Sequence, residues 1–359
     1  MTQLRTVQVL GGGSAGSSAH VRSLASGLVA RGVRVTVCAP AALDRVYDYL
    51  GAGAHFVPLP HLGDPATVTA LRNACIGAHV VHAHGLAASV RAALALSGEG
   101  RSPLVTTWHS RSHLAGARGG VRRLLERRTV RASTVVLGTS SELVDRARRS
   151  GARDARLAPV TVPPARGPVC LHDGKARAEL GAVDRPLLMA VGALERGRGY
   201  ETLLDAARVW RDLDPQPLLV IAGEGRERSV LQRRIVAEGL PVRLIGRRDD
   251  VAELLAAADV AVLPSRWEAR SLLAQEALRL GVPLVATAVG GVPELVGDAA
   301  ELVPYGDAGA LAGVVRGLLE DVDRRMDLAA AGRVQAGTWP TEDETVAHVL
   351  SVYDELAGR

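Results

Sequence analysis

Twice along the chain, short aliphatic and β-branched runs ending in glycine or a small polar residue alternate with stretches of helical spacing. The first series is "RTVQVL", "VRVTVCA", "HFVPLP", "HVVHAHG", "PLVTTWH" and "STVVLGTS"; the second is "PLLMAVGAL", "PLLVIAGEG", "VRLIGR", "VAVLPS", "PLVATAVGG" and "ELVPYG". Alternation of this kind builds a parallel sheet with helices on both faces. A proline-rich break, "LAPVTVPPARGP" from Leu157 to Pro168, divides the series and reads as an interdomain linker. The chain's 359 residues exceed one ordinary core, so two similar α/β domains are expected.

Charge separates the halves. Up to Arg166 there are 21 arginines against eight acidic residues, net +13, whereas the remainder carries 22 basic and 30 acidic residues, net −8. Such asymmetry concerns partners rather than fold. With 47% hydrophobic residues and mean hydropathy +0.13 there is ample material for two buried sheets. No run approaches the ~20 apolar residues of a spanning helix. The first apolar run breaks at glycines and then meets His20 and Arg22, so no signal peptide is expected and the chain is placed in the cytoplasm. Cys38, Cys75 and Cys170 form no C-x-x-C pair and fit reduced thiols. Lys175 is the single lysine and lies in a polar stretch, which excludes a Walker loop and argues against a pyridoxal Schiff base.

Gly11, Gly13 and Gly16 spell G-x-G-x-x-G after the first strand. A dinucleotide fold would place an acidic residue about 20 positions on to hold the ribose. From Ser17 to Leu43 there is none. The turn suits a phosphate, through close backbone approach and a helix N-terminus, without being specific for a dinucleotide.

The most informative segment is "VAVLPSRWEARSLLAQEALRLGVPLVATAVGGVPELV". A strand ends at Pro264-Ser265, Glu268 falls in a loop, Ser271 is a candidate N-cap, and a helix Leu272 to Leu280 stops at Gly281. Carboxylates accept hydrogen bonds from sugar and ribose hydroxyls, and N–H groups at a helix start hold phosphate. With Glu268 and Glu276 on either side of that start, one segment can grip both ends of a nucleotide sugar.

This segment resembles the signature of the retaining family 4 glycosyltransferases of GT-B architecture. The matching residues are Pro264-Ser265, Glu268, Glu276-Ala277, Gly281-Val282-Pro283-Leu284 and Gly290-Gly291-Val292-Pro293-Glu294. The likeness extends through "AGSSAHVRSLASGLVARGVRVTV", "HVVHAHG", "PLVTTWH", "IAGEG" and "AADVAVLPS". It implies two Rossmann-like domains facing across a cleft: an acceptor domain over 1–163, a nucleotide-sugar domain over 164–336, and a final segment, 337–359, returning to the first. It also implies transfer of a sugar, with retention, from a nucleoside-diphosphate donor of UDP or GDP type to an acceptor hydroxyl.

Residue roles follow from the same resemblance. Gly16 lies against the donor diphosphate, His109 near the transferred sugar, Glu268 at the sugar hydroxyls and Glu276 at the ribose. The Gly192 to Gly199 loop with Arg198, Gly223, Gly246 and Arg247, Ser271, and the N–H groups of Leu272 and Leu273 complete the donor set. His84, Arg122 and Arg123 are acceptor-side candidates. No metal and no further cofactor are required if arginines and helix termini stabilise the departing diphosphate.

The chain also departs from the family pattern. Ala193 stands where an arginine is usual, and Arg198 replaces a lysine, keeping the charge with bidentate geometry. Arg270-Ser271 replaces Phe-Gly, and Val160-Thr161-Val162-Pro163 replaces Asn-Gly-Val-Asp. The loss at Ala193 supports the alternative of a non-catalytic protein docking its basic domain on an anionic lipid or phosphorylated partner.

Simpler readings stand beside these. Glu268 alone is a surface carboxylate, Glu276 a partner of Arg279, and His109 a polar residue at a strand end. His82 and His84 share a strand face without an evident third ligand, so metal is not expected. Trp108 and Trp210 read as core, with Trp267 a candidate sugar platform. The stretch Ala117 to Ser133, with arginines at 118, 122, 123, 127, 128 and 131 against Glu126, is either a solvated face or a surface for anionic lipid or a phosphorylated acceptor. Nucleic acid is not expected, because a single Phe leaves no stacking platform.

Overall fold

The computed structural model describes residues 3–12, 15–60, 64–98, 102–111, 116–160 and 174–358, without the side chains of 15 and 116–118. Gly13, Thr161 to Pro163, Cys170 and the side chains of Ala15, Ala117 and Arg118 lie outside the described residues. The chain divides into two compact units: Met1–Pro163 joined by Pro340–Arg359, and Pro164–Trp339.

The first unit runs β1 (Arg5–Leu10), α1 (Ala15–Ala30), β2 (Arg34–Pro40), α2 (Ala41–Tyr47), β3 (His55–Leu59), α3 (Ala66–Ala74), β4 (Val80–His84), α4 (Leu86–Ala95), β5 (Leu104–Trp108), α5 (Gly116–Ala132), β6 (Val135–Gly138), α6 (Ser141–Arg149) and β7 (Ala155–Leu157). Among the described residues these strands form one parallel sheet in the order β3-β2-β1-β4-β5-β6-β7. Alternation in β1 sends Val7 and Val9 to one face, packed with Val81, Ala83 and Ala92, and Leu10 to the other. Thr6 and Gln8 share Leu10's face and are buried there, two polar side chains in an otherwise apolar strand.

The second unit runs α7 (Gly174–Leu180), β8 (Leu187–Val191), α8 (Tyr200–Trp210), β9 (Leu218–Ala222), α9 (Arg228–Glu238), β10 (Val242–Gly246), α10 (Val251–Ala256), β11 (Val260–Leu263), α11 (Leu272–Leu280), β12 (Leu284–Thr287), α12 (Val292–Val296), β13 (Glu301–Val303), α13 (Ala308–Glu320) and α14 (Val322–Gly337). Its sheet is parallel in the order β10-β9-β8-β11-β12-β13. One face packs Met189, Ala261 and Leu263 on Ala274, Ala277 and Leu278 of α11; the other packs Leu188, Ala190 and Val262 on Leu203, Leu204 and Trp210 of α8. Both faces being covered explains why the strands read as continuous apolar runs.

The last helix, α15 (Glu342–Leu356), opens on a capping box between Thr341 and Glu344 and packs against α1. Its buried face, Val346, Val349, Val352 and Tyr353, joins Val21, Leu24 and Leu28 in the first unit's core. Arg156 at the end of the first sheet clasps Glu355 at 2.7 Å.

Candidate functional site

In each sheet the strand order reverses beside the unit's first strand, between β1 and β4 and between β8 and β11. Open parallel sheets bind ligands at the carboxyl ends of the strands flanking such a point. Several of the residues singled out above follow these strands: Gly16 after β1 and His84 at the end of β4 in the first unit, and the Gly192 to Gly199 loop after β8 and Glu268 to Leu273 after β11 in the second.

In the second unit the loop after β8 and the loop after β11 interlock. Arg266 N donates to the Gly197 carbonyl at 2.8 Å. Gly199 has φ +75, and a Cβ there would lie 1.8 Å from the Pro264 carbonyl oxygen, so only glycine permits this approach. The contact fixes Arg198 beside Glu268. The Arg198 guanidinium and Ser265 Oγ both donate to Glu268 Oε1, the latter at 2.9 Å. Ser265 is itself held by Thr287 at the end of β12, whose hydroxyl donates to the Ser265 carbonyl at 2.5 Å. From the other side Gly291 N donates to the Glu268 carbonyl at 2.9 Å, and a Cβ on Gly290 would meet that carbonyl at 2.1 Å. The Gly-Gly loop thus clamps the backbone of Glu268.

α11 begins directly after this loop. Ser271 caps it, its hydroxyl accepting from Ala274 N, which leaves the N–H groups of Leu272 and Leu273 as first-turn donors with no intrahelical acceptor. Leu272 is exposed, Leu273 buried, and Glu276 half-buried in the second turn. Gly281 ends the helix in the left-handed conformation. Gly192 and Gly223 meet through their strand ends, and Gly223 N donates to the Gly246 carbonyl at 2.8 Å. Arg247 beyond it is largely exposed, with Asp249 4.0 Å away. Arg196 is 91% exposed beside Glu227, and Ala193 is exposed. Arg270, in place of the usual aromatic residue, sets its guanidinium carbon 5.9 Å from the Trp339 ring centre; burial pushes its pKa down to about 10.

In the first unit the notable feature is a histidine cluster. His82 and His84 share one face of β4, their ring centres 4.2 Å apart. His84 Nδ1 lies 3.3 Å from His109 Nε2, beyond the end of β5, and His84 Nε2 lies 3.0 Å from Gln8 Oε1. His20, from α1, packs edge-on against both, with ring centres 5.8 and 5.6 Å away. Burial pushes His20 down to about 4 and, with His20 adjacent, His109 to about 3; His82 and His84 are likewise held well below the ordinary range. All four are neutral at pH 7. Gly16 lies in the first turn of α1. Among the described residues no three or more His, Cys, Asp or Glu side chains converge to hold a metal ion.

The acceptor-side candidates divide. His84 is buried with both ring nitrogens engaged, so it reaches a ligand only through His109. Arg122 lies 3.7 Å from buried Glu126, which Arg146 also binds at 2.7 Å, while Arg123 is exposed. Sequence reasoning missed the joining of Arg198 to Glu268, and it missed Gln8, His20 and Tyr353. A glutamine inside an apolar strand was the available signal for Gln8.

Two family models match the chain: a glycosyl transferase 4-like domain over residues 15–163 and glycosyl transferases group 1 over residues 173–335. A D-inositol 3-phosphate glycosyltransferase of Xylanimonas cellulosilytica is 32% identical over 286 residues, 72% of this chain and 67% of that protein. The chain belongs to the family 4 glycosyltransferases of GT-B fold. A GDP-mannose-dependent monoacylated alpha-(1-6)-phosphatidylinositol monomannoside mannosyltransferase of Corynebacterium glutamicum is 31% identical over 188 residues, 48% of this family 4 chain and about half (49%) of that protein. Among solved structures, Anabaena HepE in complex with UDP-glucose superposes with a TM-score of 0.82 at 21% identity, over 98% of this chain and 100% of that one. WaaG, a glycosyltransferase of lipopolysaccharide biosynthesis, gives 0.75 at 19%, over 99% and 100%. At these identities the likeness is one of fold.

Proposed function

We propose that the protein transfers a sugar, with retention of anomeric configuration, from a nucleoside-diphosphate sugar to an acceptor hydroxyl. The observation that carries this is the Ser265-Arg198-Glu268 cluster, set at the sheet's reversal point beside a capped helix start. A guanidinium has five N–H donors, and the bond to Glu268 uses one. Arg198 therefore has donors for diphosphate oxygens while Glu268 has its second oxygen for a sugar hydroxyl. As the diphosphate leaves, negative charge develops where Arg198 and the amides of Leu272 and Leu273 stand preorganised. Glu276 takes the ribose, and the Gly246-Arg247 turn the base. In the first unit, the resemblance assigns Gly16 to the diphosphate and His109 to the transferred sugar.

A thermal-shift panel of nucleoside diphosphates and their sugars tests the donor class. The matching donor at 100 times its dissociation constant stabilises by about 2.7 kcal/mol. For a unit of this size that is a rise of roughly 5–10 °C. A panel in which no uridine or guanosine diphosphate moves the transition overturns the reading. The anomeric configuration of the product, read by NMR, tests retention separately.

The acceptor we propose is a phosphate-bearing molecule. The first unit carries the arginine excess, and the acceptors in the two relatives' names are an inositol phosphate and a phosphatidylinositol mannoside. α5 offers a route to a lipid-linked form. Val121 and Leu124 are exposed on it at 59% and 54%, beside exposed Arg123, Arg127, Arg128 and Arg131. Among the described residues no helix is long and apolar enough to cross a membrane, so such contact would be peripheral. Each basic residue near an anionic surface contributes about 1 kcal/mol, screened by salt. Sedimentation with phosphatidylglycerol vesicles should carry the protein at low salt and release it at high salt, with phosphatidylcholine vesicles carrying none. Equal binding to both lipids would remove the membrane part of the proposal.

A further inference from the structure

The histidine cluster has a direction, and it is set from the last helix. Gln8 Nε2 lies 2.9 Å from the Tyr353 hydroxyl and 3.1 Å from Thr6 Oγ1, so the amide nitrogen donates to both. The Tyr353 hydroxyl, already accepting, has its own hydrogen for His82 Nδ1 at 2.6 Å. His82 then carries its hydrogen on Nε2 and donates to Thr107 Oγ1 at 2.6 Å. On the opposite side of the same amide, Gln8 Oε1 can only accept. His84 Nε2 must be the donor across their 3.0 Å contact, which leaves His84 Nδ1 as an acceptor. The neighbouring ring nitrogen, His109 Nε2 at 3.3 Å, must in turn be the donor to it.

We propose that Gln8 and Tyr353 are positioning residues that lock the His109 imidazole with its hydrogen on Nε2, leaving Nδ1 as a hydrogen-bond acceptor for a hydroxyl of the bound sugar. The lock is a property of the ligand-free protein; its catalytic consequence rests on the transferase reading. Burial makes the arrangement rigid. Gln8, His82, His84 and Tyr353 are almost wholly inaccessible, so a reversed amide would have to reorder the whole chain of bonds rather than exchange one partner for water. His20 packs against the rings of His84 and His109 and closes their open sides. The consequence for chemistry is a neutral imidazole of one fixed tautomer, which can take a hydrogen bond from a hydroxyl without the cost of selecting among forms.

Nitrogen NMR on histidine-labelled, ligand-free protein at neutral pH reads the tautomer directly. The wild type should show His109, His84 and His82 each neutral and protonated on Nε2. Tyr353→Phe preserves the ring while removing the hydroxyl that Gln8 donates to, and Gln8→Leu removes the acceptor for His84. Both should move the His109 nitrogens toward a mixture of tautomers. Gln8→Glu keeps an acceptor facing His84 and should restore the single form. In transfer assays the first two variants should lower kcat about tenfold, the worth of one ordinary hydrogen bond, with KM changed less and Gln8→Glu nearer wild type. A wild-type His109 carrying its hydrogen on Nδ1, or nitrogen shifts unmoved in folded Tyr353→Phe, overturns the lock. If the shifts move as described but no donor yields product in any variant, the transferase reading fails while the lock stands.

Discussion

Replacing Glu268 by alanine should lower kcat/KM for sugar transfer by about 10²–10³-fold, the range lost with a preorganised polar group of an active site. In the proposed reading the carboxylate acts twice: it would offer an oxygen to the sugar, and it holds Arg198 in place through the cluster with Ser265. Folding should hardly register the change. Arg198 is 37% exposed and can turn to water once Glu268, itself 16% exposed, is gone, so the fold should lose on the order of 1 kcal/mol. Steady-state kinetics beside a melting curve separates the two effects. Donor hydrolysis is the sharper measurement, because equal background rates in wild type and Glu268→Ala would point to a protein that binds without turning over.

Gly199→Ala should do the reverse and damage stability first. A methyl group at this left-handed position would sit 1.8 Å from a backbone carbonyl that no side-chain rotation can move aside. Conformational strain of about 1 kcal/mol adds to the displacement of one loop from the other, for a total of roughly 3 kcal/mol. In a unit of this size the melting temperature should fall by about 6–12 °C. The substituted residue adjoins Arg198, so the donor-induced thermal shift should shrink as well. A variant melting within about 2 °C of wild type would mean that the loops after β8 and β11 do not meet as described.

Most of the strand framework was legible because both faces of each sheet are covered, which leaves an uninterrupted apolar signature at each strand. The loop, cap and stop of the 264–281 segment were legible for another reason: Ser271 and Gly281 carry local chemistry that decides a helix's ends without help from the rest of the molecule. α2 was not legible. It joins the parallel strands β2 and β3 but buries none of its residues, so it has no apolar stripe to betray it. The Arg198-Glu268 contact spans 70 positions and depends on how two loops fit, which periodicity does not encode. Gln8 was visible as an oddity in its strand, yet its meaning needed Tyr353, 345 residues later.

That separation has a consequence for biosynthesis. A unit whose first strand and α15 share one core cannot close until that helix has been synthesised. At about 5–20 residues per second the ribosome needs roughly 10–40 s to pass from the linker to α15. Throughout that interval the face of α1 that receives Val346 and Val349 stays uncovered on the nascent polypeptide, a natural target for chaperones, while the intervening unit can already be complete.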